Sequence, residues 1–145
     1  MLFEKGFFKK SDEELIANAI KQAENQTSGE IRLHVEPYCK MDLMDRAADV
    51  FGFLHMHETA ERNGVLFYVA YKDHKFAILG DKGINAVVPD HFWDHIKEEV
   101  LNAFKRKEYA SGLQQGILKA GEQLKAHFPY LSNDKNELSD DISYG

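Results

Sequence analysis

"GVLFYVAYKDHKFAILG", residues 64–80, decides how the rest of the chain is read. Its first eight residues are apolar throughout, the pattern of a strand buried on both faces. Lys72-Asp73-His74 then makes a short turn, and Lys75–Gly80 runs back as an antiparallel neighbour. Upstream, "EIRLHVEPY" (30–38) alternates Ile31, Leu33 and Val35 with Arg32, His34 and Glu36. That alternation predicts a strand with one wetter face, stopped by Pro37. Between the two strands, "MDLMDRAADVFGFLHMH" (41–57) has helical spacing through Leu43, Ala47, Val50, Phe51 and Leu54, with Asp42 placed as an N-cap. Strand, helix, strand implies a right-handed parallel crossover.

The flanks are helical. Ser11 with Glu14 three residues on has the form of a capping box, opening a helix whose apolar stripe is Leu15, Ile16, Ala19, Ile20 and Ala23. Pro89-Asp90 is expected to open a second helix, "HFWDHIKEEVLNAFKRK". The last, "EYASGLQQGILKAGEQLKAHF", carries glycines 112, 116 and 121 in its interior. Glycine is a poor interior helix residue, so close helix–sheet approach is expected there. The order α-β-α-β-β-α-α predicts an α/β fold. Its core is a small open mixed βαββ sheet, with helices packed on both faces as a three-layer sandwich. Residues 1–130 form one domain in this reading, and residues 131–145 a flexible acidic tail.

Composition narrows the function classes. The 145 residues are 43% hydrophobic and carry a formal charge of -6, which fits a folded domain and disfavours a nucleic-acid partner. Cys39 is the single cysteine, so no intrachain disulfide and no zinc–thiolate cluster can form. It reads as a half-buried thiol at a strand end. No apolar run is long enough for a signal h-region or a membrane span, so no membrane insertion is expected and the location is read as cytoplasmic.

"GDKG" (80–83) lacks both the Walker pattern and the dinucleotide fingerprint. Gly80 and Gly83 are read as turn residues. The topology brings this turn to the starting edge of the parallel strands, together with Glu30, Asn63, Asp81 and Asp94, and with His57 and Arg62 from the preceding connection. Carboxylates with an amide oxygen suit a hard divalent cation, calcium or magnesium, whereas His57 is more at home with a transition metal. A solvated rim of caps and turn residues explains the same positions. At the opposite edge Glu36, Asp42, Asp45 and Asp73 are read as caps. His91 and His95, an i, i+4 pair, are read as exposed, and His55-x-His57 is a weak metal motif.

"NGVLFYVA" (63–70), "ILGDKGINAVVPDHFWDHI" (78–96), "FKRKEYASGLQQGI" (104–117) and "AIKQAENQTSGEIRLHVE" together resemble the TPM domain family, in its short soluble bacterial branch. Asn63, Gly64, Gly80, Gly83, Tyr109 and Gly112 match the family pattern, and Asp81 and Asp94 fit the form of that branch. The resemblance implies an α/β sandwich and, as in some members, binding of divalent cations, calcium in particular. Acid phosphatase activity has been attributed to plant relatives and receptor modulation to animal ones. The family's N-terminal aspartate segment is not recognisable in "MLFEKGFFKK". The candidate metal residues are Glu30, Asn63, Asp81, Asp94 and His57, and without that segment the site would be weak or rebuilt from Glu30 and Asp81. The expected function is a small cytoplasmic binding domain for such a cation and a protein partner. One alternative is a metal-assisted acid phosphatase, with Asp81 and Asp94 as ligands and His57 or Arg62 meeting phosphate. Another is a ligand-free interaction domain.

Overall fold

The computed structural model describes residues 7–130 and 142–145. Helix α1 spans Lys10–Glu24, strand β1 Glu30–Glu36, helix α2 Leu43–Phe53, strand β2 Gly64–Ala70 and strand β3 Lys75–Gly80. A four-residue helix α3, Lys82–Asn85, follows, then α4 (Asp94–Lys105), α5 (Tyr109–His127) and a short strand β4 (Ser143–Tyr144). The sheet order is β3-β2-β1-β4. β1 and β2 run parallel, in register from Glu30↔Gly64 to Glu36↔Ala70. β3 returns antiparallel, Val65 opposite Gly80 and Ala70 opposite Lys75.

Period-two alternation sends one set of side chains to each face of the sheet. Ile31, Leu33 and Val35, Val65, Phe67 and Val69, and Phe76 and Ile78 meet α1, α4 and α5 in the larger core. Leu66, Tyr68, Ala70 and Ala77 meet Ala47, Val50, Phe51 and Met56 on the α2 side. The expected α/β fold is therefore the observed one, a mixed open sheet between two helical layers. Among the described residues the layers are unequal, with three long helices on one face and one on the other. No described helix is long and apolar enough to cross a membrane.

Several local expectations need correction. α1 begins at Lys10, and the Asp12 carboxylate takes the Lys9 N–H at 3.1 Å, so Ser11 lies inside the helix rather than capping it. α4 starts at Asp94, because His91 sits at φ 64 and a left-handed residue interrupts a right-handed helix. The helical glycines admit neighbouring helices more than the sheet. A Cβ on Gly121 would lie 2.6 Å from Ala23 Cβ of α1, and one on Gly116 would lie 2.6 Å from Val100 Cγ2 of α4. The second face of β1 is not wet: His34 and Glu36 are buried, Glu36 against Arg46 and Tyr68, and His34 against Ser143 and Gly145. Of the expected tail, residues 131–141 lie outside the described residues, while Ser143–Tyr144 pair parallel with His34–Val35 as the outermost strand.

Candidate functional site

The amino-end rim of the sheet is built around Asp81. Its own N–H continues the ladder to Gly64 O at 2.9 Å, and its carboxylate takes the Lys82 N–H at 2.7 Å, which caps α3. "GDKG" is thus a strand end feeding a helix, not the plain turn expected. No glycine in the described residues has positive φ. Gly83 is required for proximity instead. A Cβ there would sit 2.1 Å from Glu61 O and 2.6 Å from Arg62 O, and the Gly83 N–H donates to Arg62 O at 2.9 Å.

Close packing of the 61–62 backbone on α3 aims Arg62 at Asp81. Nε donates to Oδ2 at 2.8 Å and Nη2 to Oδ1 at 3.1 Å, a bidentate pair. Asp81 is only 7% exposed as a side chain, whereas Arg62 is 36% exposed and stands at φ 51. Hydrogen bonding to Asp81 raises the already high Arg62 pKa. Asn63 is buried beside them. Its N–H reaches Thr59 Oγ1 at 3.2 Å, its Nδ2 reaches Ser28 Oγ at 3.2 Å, and its carbonyl takes the Glu30 N–H at 3.4 Å. Ser28 Oγ donates to Glu61 Oε2 at 2.6 Å.

The five residues expected to hold a cation are distributed unevenly. Asp81 borders the Arg62–Asn63 segment, and Glu30 is joined to that segment through its N–H. His57 is exposed, with its ring 6.3 Å from that of His55. Asp94 is exposed and pairs with His91 at 3.1 Å. Among the described residues, no three His, Cys, Asp or Glu side chains come together closely enough to hold one metal ion. The oxygen groups along this rim fall into two sets, Asp81 with its Arg62 and Lys82 N–H partners, and Ser28, Glu61 and Asn63 bonded to one another. Both offer oxygen, which fits a hard cation keeping several of its waters, not a transition metal. Ser28 and Glu61 are absent from the sequence-based set. Glu61, two residues ahead of Asn63 in an exposed connection, gives no pattern by which to single it out.

The carboxyl-end rim holds a second carboxylate–arginine pair, and it carries more bonds. Glu36 at the end of β1 receives Arg46 Nε and Nη2 from α2, both at 2.8 Å. Tyr68 of β2 donates its hydroxyl to Glu36 Oε2, and His34 Nε2 lies 3.3 Å from Oε1. Burial pushes the Glu36 carboxyl upward, but the bonds from Arg46, Tyr68 and His34 outweigh it and hold it at about 2. Burial lowers the His34 pKa in spite of Glu36. Tyr68 is raised by burial and by its bond to Glu36. With both oxygens taken, Glu36 has no lone pair directed at a substrate and acts as an anchor for α2. Its neighbours at this edge do cap: Asp42 accepts from Met44 and Asp45 N–H at 3.1 Å, and Asp73 accepts from Cys39 N–H at 2.7 Å. Asp45 is exposed, and buried Cys39 directs Sγ to Met41 O at 3.2 Å. His91 and His95 engage different acids, Asp94 at 3.1 Å and Glu99 at 2.6 Å, so they do not form one chelating pair.

Comparison with known proteins supports the same architecture. The solution structure of the BA42 protein from the psychrophilic bacterium Bizionia argentinensis is 47% identical, with a TM-score of 0.91 over 96% of each chain. The N-terminal domain of a P. gingivalis protein matches at 18% identity and TM-score 0.64, over 90% of this chain and 85% of that one. The N-terminal domain of cg2496 from Corynebacterium glutamicum matches at 12% identity and TM-score 0.66, over 94% and 80%. These two more distant likenesses speak for the fold alone. No curated protein matches the chain. The TPM domain family model matches residues 2–123, most of the chain. The chain belongs to the TPM domain family.

Proposed function

We propose that this chain is a small binding domain that takes up a divalent cation, calcium or magnesium, at the Asp81 rim, and there presents an altered surface to a protein partner. The observation that carries the reading is the asymmetry of the Asp81–Arg62 pair. The anion is fixed by the fold, between the end of β3 and the start of α3, and is 7% exposed. The cation is a long side chain, 36% exposed, that reaches it from the solvent side. A hydrated metal ion arriving from solvent can replace the guanidinium without disturbing the strand or the helix cap. Asp81 would be its carboxylate ligand, with Asn63 and Glu30 as further oxygen donors and water completing the shell. A site with one or two carboxylates and several waters is usual for magnesium and for weak calcium sites. The metal would supply charge at the rim, and the released Arg62 would turn outward toward a partner.

Titration of the isotopically labelled chain with calcium and with magnesium tests this directly. Amide shifts should cluster at residues 62–64 and 80–83 and disappear in Asp81→Asn. Shifts spread evenly over the acidic surface, or unchanged in that variant, would remove the site. The thermal midpoint should rise with metal and return with chelator, because a ligand bound only by the native state stabilises it.

A further inference from the structure

On the three-helix face, at the carboxyl end of β2, a cavity of about 220 Å³ opens between the β2–β3 hairpin and the α4–α5 junction. Its floor is the end of β2, and Tyr71, Phe104 and Tyr109 supply aromatic walls. Those rings are held by other rings. Phe104 lies 5.2 Å from Tyr109 and 5.7 Å from Phe76 of β3, centroid to centroid. Phe7 stacks on Tyr71 at 4.3 Å and reaches Tyr109 at 5.2 Å, tying the two tyrosines together. Walls braced in this way form a cavity without help from a ligand, as small-molecule sites usually do.

The charge around the cavity is of one sign. Lys75 and His74 come from the hairpin and Lys105 from the last turn of α4, and no lining residue is acidic. In a chain of formal charge -6 this is a local reversal. Both lysines are exposed, and among the described residues neither has a carboxylate partner. The nearest acid in sequence, Glu108, is taken by Arg106 at 2.6 Å. Lysine stems can line an apolar wall while their ammonium groups stay at the solvent side. The cavity thus offers an apolar, aromatic interior and a cationic mouth. It also lies where open α/β sheets usually receive ligands, outside the carboxyl ends of the parallel strands.

We infer that this cavity is a binding site for a small aromatic monoanion, an aryl carboxylate. Size sets the limit: an apolar cavity of about 150 Å³ holds one benzene, so 220 Å³ takes a ring and about three further atoms. The ring packs offset or edge-on against Tyr71, Phe104 and Tyr109, and the carboxylate meets Lys75 and Lys105. None of these residues lies at the Asp81 rim, so the inference stands independently of the cation reading.

Titration of the isotopically labelled full chain with sodium benzoate tests it. A ligand of about nine non-hydrogen atoms should half-saturate at millimolar concentration, with shifts at residues 69–75, 101–105 and 109. Neutral benzamide should need about fivefold more, the advantage two exposed lysines give an anion. The double variant Lys75→Gln, Lys105→Gln changes exposed side chains only. It should lose that fivefold for benzoate and nothing for benzamide. Leu101→Trp, which fills the cavity, should abolish the binding of both. Equal half-saturation by benzamide in the parent chain, equal shifts with acetate, or benzoate binding undiminished in the lysine variant overturns the assignment. So does the lack of any shift at tens of millimolar benzoate. Binding that appears only in Phe3→Ser would also overturn it, and would give the cavity to the chain's own first residues.

Discussion

Each end of the sheet carries a buried carboxylate gripped by an arginine, and the two pairs are unlike in everything else. Glu36 receives Arg46 with both bonds at 2.8 Å, together with Tyr68 and His34. Asp81 receives Arg62 at 2.8 and 3.1 Å, and its other partner is a backbone N–H. Glu36 is reached from a helix, a neighbouring strand and its own strand. Asp81 depends on a side chain projecting from a connection. A carboxylate saturated by the fold holds the fold together; one neutralised by a partly exposed arginine can exchange its counter-charge.

The largest expected effect comes from breaking the saturated end. Glu36→Gln leaves the Arg46 guanidinium facing an amide and should destabilise by about 3 kcal/mol, lowering the midpoint by roughly 10 °C. The same group gives the acid response its sign. The folded Glu36 carboxyl lies at about 2 against an ordinary 4.5, so its stabilisation is complete above 4.5 and is lost as pH falls toward 2. That loss is at most about 3 kcal/mol. His34, whose pKa is lowered from 6.5, resists protonation in the fold, so stability already declines as pH drops below 6.5. Denaturant unfolding against pH should show both declines in the parent chain and lose the lower one in Glu36→Gln.

Next in size is Gly83→Ala, since a Cβ 2.1 Å from a backbone oxygen forces the 61–62 segment away from α3. About 2 kcal/mol of destabilisation is expected, with amide shifts confined to the Asp81 rim. The smallest change in stability should come from Arg62→Gln, which removes an exposed competitor. Its informative readout is the divalent cation, which should bind about fivefold tighter, the low end for two ligands coupled through one group. Weaker binding would mean that Arg62 assists the metal rather than opposing it, and the contrast between the two ends would lose its point.

The strands and the long helices were legible because their apolar periods are long and uninterrupted: residues 64–80 alone fix the central strand and the hairpin. Asp81 was legible as a rim residue from strand direction. Three features were not. Gly83 looks like any turn glycine, since a backbone oxygen from residue 61 leaves no local mark. Tyr68 sits inside an apolar run, and only its register opposite His34 turns it toward Glu36. β4 is two residues long after a polar stretch, too short for any period, and is defined by what β1 offers it.

The unequal layers have a consequence for how the molecule opens. α1, α4 and α5 hold one another through the larger core as well as holding the sheet. Among the described residues α2 is the only long helix on its face, with Ala47, Val50 and Phe51 turned inward and Phe53 83% exposed. Its adhesion is part apolar and part the Arg46–Glu36 clasp. A smaller apolar cluster holds α2 than holds the three-helix side, so amide exchange is expected to be faster in Leu43–Phe53 than in α1, α4 and α5, and faster still in Arg46→Ala.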